Sequence, residues 1–385
     1  MRIASAVLLF CLLSETALAE SPFSATSNAE AGWSSNISET PTGPSDFYLR
    51  HNHDLSLRGS LGSLDWKAGL KIDETKYLHH SGEDDLEVTG GLEVGLPLAS
   101  DMRLRLGYAV TREWTGTIAD FGGTMVDISG EGITHEFIAE LLMAGEGRAF
   151  VVGVDGVLSR PGDSVLAGLG LPPLRLAPEE NAVTVRVDGE WVVGENLFAL
   201  GRGHAFSTQV PELDKIAYGR EPSQGLRLGV GLRHASEAFT VSGYVGADTV
   251  WPTNASHLIK VVPYVDVEAE LALREGIGLG FRGLWGVGRD APIDGVASQN
   301  LDLELALRLA LHERVTLSAK AGLNREEGLY FPAGARWQKT LGADLTAALT
   351  DKISVRIGAQ QKWVEQPGGD DYAVTRLNMG VSGAI

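Results

Sequence analysis

Charged side chains that recur at every second position are the residues of this sequence with the clearest chemical potential. In the stretch 300–324, Asp302, Glu304 and Arg308 alternate with leucines at every odd position from 301 to 311. A face that carries both signs of charge could conduct water, ions or polar solutes. The same charges could instead pair across neighbouring segments, at about 1 kcal/mol or less per pair. The candidate pore-lining residues are Arg103, Arg105, Arg227, Arg233, Asp266, Glu268, Arg282, Glu304, Arg308 and Arg356.

Catalytic and metal-binding chemistry has little support in the sequence. The nine histidines are scattered, and neither a GxSxG nor an HExxH motif is present. The segment 79–85, HHSGEDD, has metal-ligand residue types, but a solvated polar loop has the same composition. His204 near Ser207 has the residue types of a hydrolytic pair, yet such spacings do not transfer between folds. We therefore assign no catalytic residue, no metal ligand and no cofactor.

Period-two alternation indicates β-strands as the elements that position these charges. On a helix of 3.6 residues per turn, the leucines of 301–311 would spread around the whole circumference and leave no polar face. The alternation restarts at Val315 after the triplet 312–314, which predicts a hairpin with a short turn. An almost pure leucine stripe opposite charges fits a wall between lipid and a water-filled lumen. A soluble secreted β-protein is the alternative for the same pattern.

The N-terminus predicts export. Residues 1–19 combine Arg2, an apolar run at 6–13 and the small-residue site Ala17-Leu18-Ala19, which is typical of a cleaved signal peptide. Cys11 lies within this leader, so the mature chain has no cysteine, and a closed sheet is one way to be stable without disulfides. No later segment has the roughly 18 consecutive apolar residues of a spanning helix. A net charge of −18 argues against nucleic acid as a partner.

Alternating segments recur along the whole mature chain and predict about eighteen strands. The expected strands cover residues 29–38, 46–59, 64–72, 85–97, 101–114, 131–142, 147–158, 182–193, 197–209, 224–235, 238–251, 257–273, 276–288, 298–311, 314–325, 335–349, 352–364 and 372–385. Short and long connections alternate strictly along the chain, as in bacterial barrels with short periplasmic turns and longer external loops. Residues 147–158 and 197–209 alternate poorly, so sixteen strands is the alternative count. His51 and His53 also fall on the apolar face of their strand.

The tryptophans give a separate indication of a membrane-spanning sheet. Five fall toward the long-connection ends of the expected strands and two toward the short-turn ends: Trp114, Trp251, Trp285, Trp337 and Trp363 in the first group, Trp66 and Trp191 in the second. Only Trp33 falls in mid-strand. Two aromatic girdles at the membrane surfaces would have this distribution.

With this pattern, the chain resembles the outer-membrane β-barrels of Gram-negative bacteria, in particular those of the porin type. The segment 372–385 is similar to their closing strand, with Leu377, Met379, Val381 and Ile385 on one face, although it ends on isoleucine and not on an aromatic residue. The resemblance implies an all-β, up-and-down antiparallel transmembrane barrel over 29–385, preceded by a short periplasmic segment at 20–28. It also implies outer-membrane lipid and the barrel-assembly machinery as partners. Energised receptors of this class carry an N-terminal plug of a hundred or more residues, whereas strands begin here soon after the leader.

The function expected from these features is passive transport of small hydrophilic solutes or ions across the outer membrane. A structural barrel, or one that binds surface polysaccharide, is the alternative, and an outer-membrane enzyme is a third hypothesis. The connection 159–181 is unusually apolar. It could fold into the lumen and narrow it, or form an adhesive external patch; both uses remain open at this point.

Overall fold

The computed structural model describes residues 22–120, 125–255, 257–288 and 295–385. Strands dominate these ranges. They are β1 Phe23–Ser34, β2 Asp46–Leu61, β3 Leu64–Tyr77, β4 Asp85–Ala99, β5 Met102–Asp120, β6 Met125–Gly145, β7 Arg148–Pro161, β8 Asp163–Leu166, β9 Leu174–Arg175, β10 Glu180–Gly194, β11 Leu197–Gln209, β12 Ser223–Ala235, β13 Phe239–Pro252, β14 Lys260–Arg274, β15 Ile277–Gly288, β16 Ser298–His312, β17 Val315–Gly328, β18 Ala335–Ala348, β19 Ile353–Glu365 and β20 Tyr372–Ala384. A 3-10 helix spans Ser81–Glu83 and the helix α1 spans Glu212–Tyr218. Among the described residues, no helix is long and apolar enough to cross a membrane.

Eighteen of these strands, all except β8 and β9, form one closed antiparallel barrel. Each strand pairs with the next along the chain, and β20 pairs antiparallel with β1, for example Leu377 opposite Trp33. The predicted fold class is therefore confirmed with eighteen strands, and the alternative count of sixteen is wrong. The two segments that alternate poorly are β7 and β11, and both are fully paired with their neighbours.

Connections differ between the two rims of the barrel. Eight turns of two to four residues join strands at one rim, which we call the turn rim. Gly62, Gly147 and Gly276 close three of them with φ of 64°, 67° and 79°, a conformation that favours glycine. The other nine connections lie at the opposite rim, the loop rim. Because the strand number is even, the first strand begins and the last strand ends at the turn rim.

The inner face of the wall is identified by ion pairs that bridge over intervening strands. Arg202 of β11 contacts Asp266 of β14 at 2.7 Å, across β12 and β13. Arg233 of β12 reaches Glu190 of β10 at 2.6 Å in the same way. Side chains converge in this manner on the concave side of a closed sheet. Because side chains alternate along a strand, the leucines of β16 lie on the outer face, where Leu305 is exposed.

Two expectations about the first strand need correction. The first strand begins at Phe23, not at residue 29, so six residues of the expected periplasmic segment 20–28 belong to β1. The sequence there, FSATSN, has no apolar stripe, and pairing with β2 and β20 defines the strand instead. Trp33 consequently lies at the loop-rim end of β1, not in mid-strand, and joins the larger tryptophan group.

The apolar connection 159–181 lies at the loop rim. Its strand β8 pairs with β6 at Ile128 and Ser129, on the part of β6 that continues beyond the level of Trp114. Arg175 of β9 forms an ion pair with Asp214 of α1. The connection is thus held by the extension of β6 and by the neighbouring connection, which favours the external of its two possible uses.

Candidate functional site

The inner wall has two panels, which differ in whether their charged side chains are ion-paired or exposed to solvent. In the first, arginines and carboxylates are ion-paired, often over an intervening strand, and we call this the paired panel. It consists of Arg105, Glu140, Arg186, Asp188, Glu190, Arg202, Arg227, Arg233, Asp248 and Asp266. The second, the exposed panel, lies on β14 to β17 and consists of Glu268, Glu270, Arg282, Glu304, Arg308 and Lys320.

Arg202 is the central cation of the paired panel. Its Nε donates to Asp188 at 3.1 Å and its Nη1 donates to Asp266 at 2.7 Å. Nη1 also contacts the hydroxyl of Tyr264, a residue with no exposed surface. The guanidinium lies 4.0 Å from the ring centroid of Tyr244, within the range of a cation–π interaction. Arg202 is therefore fixed in place by two carboxylates, one tyrosine hydroxyl and one aromatic ring.

Arg227 is fixed on the neighbouring strand by a bidentate ion pair. Its Nε and Nη2 donate to the two oxygens of Asp248 at 2.7 and 2.8 Å, and its guanidinium stacks over Tyr264 at 4.2 Å. The backbone N–H of Val287 also donates to Asp248, at 2.7 Å. Since Val287 belongs to β15 and Asp248 to β13, the loop-rim end of β15 bends toward the lumen and lies against this pair.

Glu140 joins two arginines on the opposite part of the paired panel. It accepts from Arg105 at 3.1 Å and from Arg186, and only 5% of Glu140 is exposed. Arg105 also donates to Glu93 at 2.8 Å. Arg186 reaches Glu140 over Gly153 of β7, where an added Cβ would lie 3.0 Å from the Arg186 Nε. A glycine at this inner-face position thus leaves the space that the ion pair occupies.

The exposed panel differs because its charges keep their contact with solvent. Glu268, Arg282 and Glu304 are direct cross-strand neighbours on β14, β15 and β16. Its one ion pair among described residues joins Lys320 and Glu304 at 3.7 Å, with 66% and 53% of the two side chains exposed. Charges exposed on the concave face of a closed sheet require water inside it, and barrels of 16–18 strands are wide enough to hold a channel.

Connections at the loop rim also contact the inner wall. Glu39, in the connection between β1 and β2, forms ion pairs with Lys362 at 2.5 Å and Arg376 at 2.6 Å. Burial alone would raise the pKa of Glu39, but the two cations outweigh it and hold the pKa below its ordinary value. Glu83 accepts from Ser38 of the same connection at 2.5 Å, and burial raises the pKa of the Glu83 carboxyl. The connection 35–45 is therefore anchored to the wall and to its neighbour.

An apolar cluster lies beneath a second set of loop-rim connections. It contains Val250, Val262, Val287 and Ala297, with Phe206, Leu329 and Tyr330 packed against it. The Tyr330 hydroxyl donates to the carbonyl of Val250 at 2.7 Å, so the connection after β17 reaches over to β13. These contacts cover part of the lumen at the loop rim next to the paired panel.

All ten sequence-predicted pore-lining residues lie on the inner face, but in different environments. Arg105, Arg227, Arg233 and Asp266 belong to the paired panel, whereas Glu268, Arg282, Glu304 and Arg308 belong to the exposed panel. Arg103 pairs with Asp65 at 2.9 Å and Arg356 with Glu30 at 2.6 Å. The ten residues therefore do not form one cluster. Glu140, Arg202, Asp248 and Tyr264 were not predicted from the sequence, although their alternation with apolar residues was a usable signal.

The histidines that the sequence singled out have structural partners. His79 and His80 both contact the carboxylate of Asp46, at 2.8 and 3.0 Å. His204 contacts Asp188 at 3.2 Å on the inner face, and Ser207, three residues further along the same strand, points to the other face. Within the part of the chain that the structure describes, no group of three or more His, Cys, Asp or Glu side chains is arranged to hold a metal ion.

Closed antiparallel barrels of this size, with a charged inner wall and an apolar outer one, are the architecture of outer-membrane barrels, and the comparisons with known structures agree. The chain is similar to the ferric enterobactin receptor PfeA of Pseudomonas aeruginosa, with a TM-score of 0.54, 7% identity and coverage of 96% of this chain and 81% of the receptor. The copper transporter OprC matches with a TM-score of 0.55 and 9% identity, over 96% of this chain and 81% of the transporter. The iron transporter FrpB from Neisseria meningitidis matches with a TM-score of 0.52 and 7% identity, over 94% of this chain and 81% of the transporter. No family model and no curated protein sequence matches the chain. Identities this low show a shared fold only and do not indicate a substrate for this chain.

Proposed function

We propose that this protein is a passive channel of the outer membrane that conducts ions and small hydrophilic solutes. The observation that carries the proposal is the exposed panel. Six charged side chains on four adjacent strands face the interior, and Lys320, with 66% of its side chain exposed, has its nearest carboxylate at 3.7 Å. Charged side chains with this much exposure to solvent support a water-filled route along β14 to β17.

The two panels have different roles in this proposal. The paired panel stiffens the wall, because its arginines are held by two or more groups each and its carboxylates are buried, as Glu140 and Asp248 are, or half-buried. The exposed panel supplies the surface along which solutes move. Its alternating signs along one cross-strand row, from Glu268 through Arg282 to Glu304, produce a transverse field across the route.

The outer face supports a location in the outer membrane. Apolar side chains dominate it between two tryptophan groups, at the loop rim and the turn rim, as lipid contact requires. The proposed leader at 1–19 would bring the chain to the periplasm, where the barrel-assembly machinery would insert it. Both termini of the barrel lie at the turn rim, which places that rim on the periplasmic side in this proposal.

Conductance with single-cysteine variants tests the proposal. Because the only cysteine of the sequence is Cys11 in the proposed leader, the mature chain offers a clean background. Purified protein in planar bilayers should give stepwise currents. A positively charged methanethiosulfonate reagent, which reverses the charge carried by Glu304 in the wild type, should change the current of the Glu304→Cys variant and leave that of Leu305→Cys unchanged.

Leu305→Cys is the matched control, because position 305 is adjacent in sequence but lies on the outer face. Folded protein that never conducts would refute the channel. Equal modification effects at positions 304 and 305 would refute the assignment of the water-filled face, even if currents were observed.

A further inference from the structure

A recess in the inner wall next to the turn rim is a separate feature of the exposed panel. It has a volume of about 430 Å³, within the size range of small-molecule sites. Its floor is formed by Gly278, Gly280 and Ala306, the inner-face residues of β15 and β16 at this level. A Cβ added at Gly278 would have no heavy atom within 4 Å. The recess thus exists because two glycines leave the wall without side chains between charged neighbours.

Opposite charges border the recess on its two sides. Glu270 of β14 and Glu237 of the turn before β13 lie on one side, and Arg308 of β16 and Lys320 of β17 lie on the other. Glu270 and Lys320 occupy one cross-strand row, with Gly280 and Ala306 between them. Strands are about 4.8 Å apart, so the backbones at Glu270 and Arg308 are separated by roughly 10 Å. This spacing leaves room for a solute between the charges.

The bordering charges are also free to bind a solute. Among the described residues, neither Glu270 nor Arg308 forms an ion pair, in contrast to the cations of the paired panel. Lys320 has one distant carboxylate, Glu304, at 3.7 Å. Thr240 and Ser318 add hydroxyl groups to the border of the recess.

We infer that this recess binds a small zwitterion, of the class of amino acids and short peptides, during its passage. The solute carboxylate contacts Arg308, whose guanidinium is suited to a carboxylate in a bidentate geometry, and is also attracted by Lys320. The solute ammonium group contacts Glu270. A simple anion would leave Glu270 unpaired beside it, and a simple cation would leave two positive side chains unpaired. The inference rests on the proposed channel, and it adds the class of solute and its site.

Three probes of similar size that carry different charges test this assignment. Glycylglycine is zwitterionic, N-acetylglycylglycine carries only the carboxylate, and glycylglycinamide carries only the ammonium group. In single-channel recordings at neutral pH, glycylglycine should interrupt the current at lower concentration than either capped form. We expect a difference of about three- to fivefold, the size of one solvent-exposed charge contact.

Single neutralised side chains then show which charge binds which end of the probe. Glu270→Gln should weaken glycylglycine binding about three- to fivefold and abolish its advantage over N-acetylglycylglycine. Arg308→Gln should abolish its advantage over glycylglycinamide. Glu87→Gln and Lys67→Gln, at inner-face positions on β4 and β3 outside the recess, should leave the order of the three probes unchanged.

The outcomes separate this inference from the proposed function. A conducting protein that treats the three probes alike, or whose Glu270→Gln and Glu87→Gln variants behave alike, would refute the zwitterion site and leave the channel intact. A folded protein that does not conduct would refute the channel. Calorimetry of the detergent-solubilised barrel with glycylglycine would then still decide whether the recess binds the probe.

Discussion

Replacement of Gly153 by valine should destabilise the barrel, because this glycine leaves space for an ion pair between two other strands. Arg186 of β10 reaches Glu140 of β6 directly over β7. A Cβ at position 153 would lie 3.0 Å from the Arg186 Nε and 3.3 Å from the Glu140 Cγ, and valine adds two further methyl groups. The two side chains must therefore move apart.

The size of the effect follows from what each partner retains. Glu140 keeps Arg105 at 3.1 Å, and Arg186 keeps Asp155 at 3.3 Å, so one charge-assisted contact is lost. Because Glu140 is only 5% exposed, water cannot readily replace that contact. A hydrogen bond to a charged group contributes about 1.5–3 kcal/mol, so we expect Gly153→Val to cost about 2 kcal/mol.

Urea unfolding of protein refolded into lipid vesicles measures this free energy. Gly69→Val is the matched control, since Gly69 is also an inner-face strand glycine, but its added Cβ would approach nothing nearer than 3.8 Å. Valine favours strands, so the control should be neutral or slightly stabilising. Equal stability of both variants, or a larger loss in Gly69→Val, would refute the role assigned to Gly153.

Two further predictions concern the outer face and the loop rim. Leu305→Arg should lower the free energy of unfolding by about 2–4 kcal/mol if position 305 lies near the bilayer midplane, whereas Glu304→Gln should leave assembly intact. A lipid-attached photoprobe should label position 305 and not position 304. Labelling of both positions would contradict the assignment of faces. The pKa of Glu39 is lowered in the folded state, so its ion pairs contribute fully above the ordinary value of 4.5 and are lost as the pH falls through the lowered value. Amide hydrogen exchange should therefore show segment 35–45 losing protection at acidic pH in the wild type, and Glu39→Gln should abolish that pH dependence; unchanged dependence in the variant would refute it.

Much of the fold could be predicted from the sequence because its signals are local. The alternation of β16 assigns each residue to one of two faces without any knowledge of its neighbours. Short turns such as 195–196 and 313–314 then set the order of strands, since a hairpin pairs adjacent segments. Antiparallel pairing and the inner-face position of all ten candidate residues follow from these two facts, whereas the weak alternation of β7 and β11 left the strand number at sixteen or eighteen.

Local signals failed where pairing alone defines a strand. The segment FSATSN at 23–28 has no apolar periodicity, yet it belongs to β1 because β2 pairs with all six of its residues and β20 with the last three. In a closed barrel no strand is left as an edge, so the first and last strands must pair with each other. The length over which β1 and β20 pair depends on both strands, so the sequence of either strand alone does not show it.

The sequence by itself determined which residues face the interior, whereas the tertiary structure decided which of those charges are free. Arg202 and Asp266 are 64 residues apart and meet only because closure brings β11 and β14 together on the concave side. Arg308 has the same alternation as Arg202, but its inner-face neighbours are Gly278 and Ser318, which offer no opposite charge. Curvature and cross-strand register set these neighbours, and both are properties of the closed sheet as a whole.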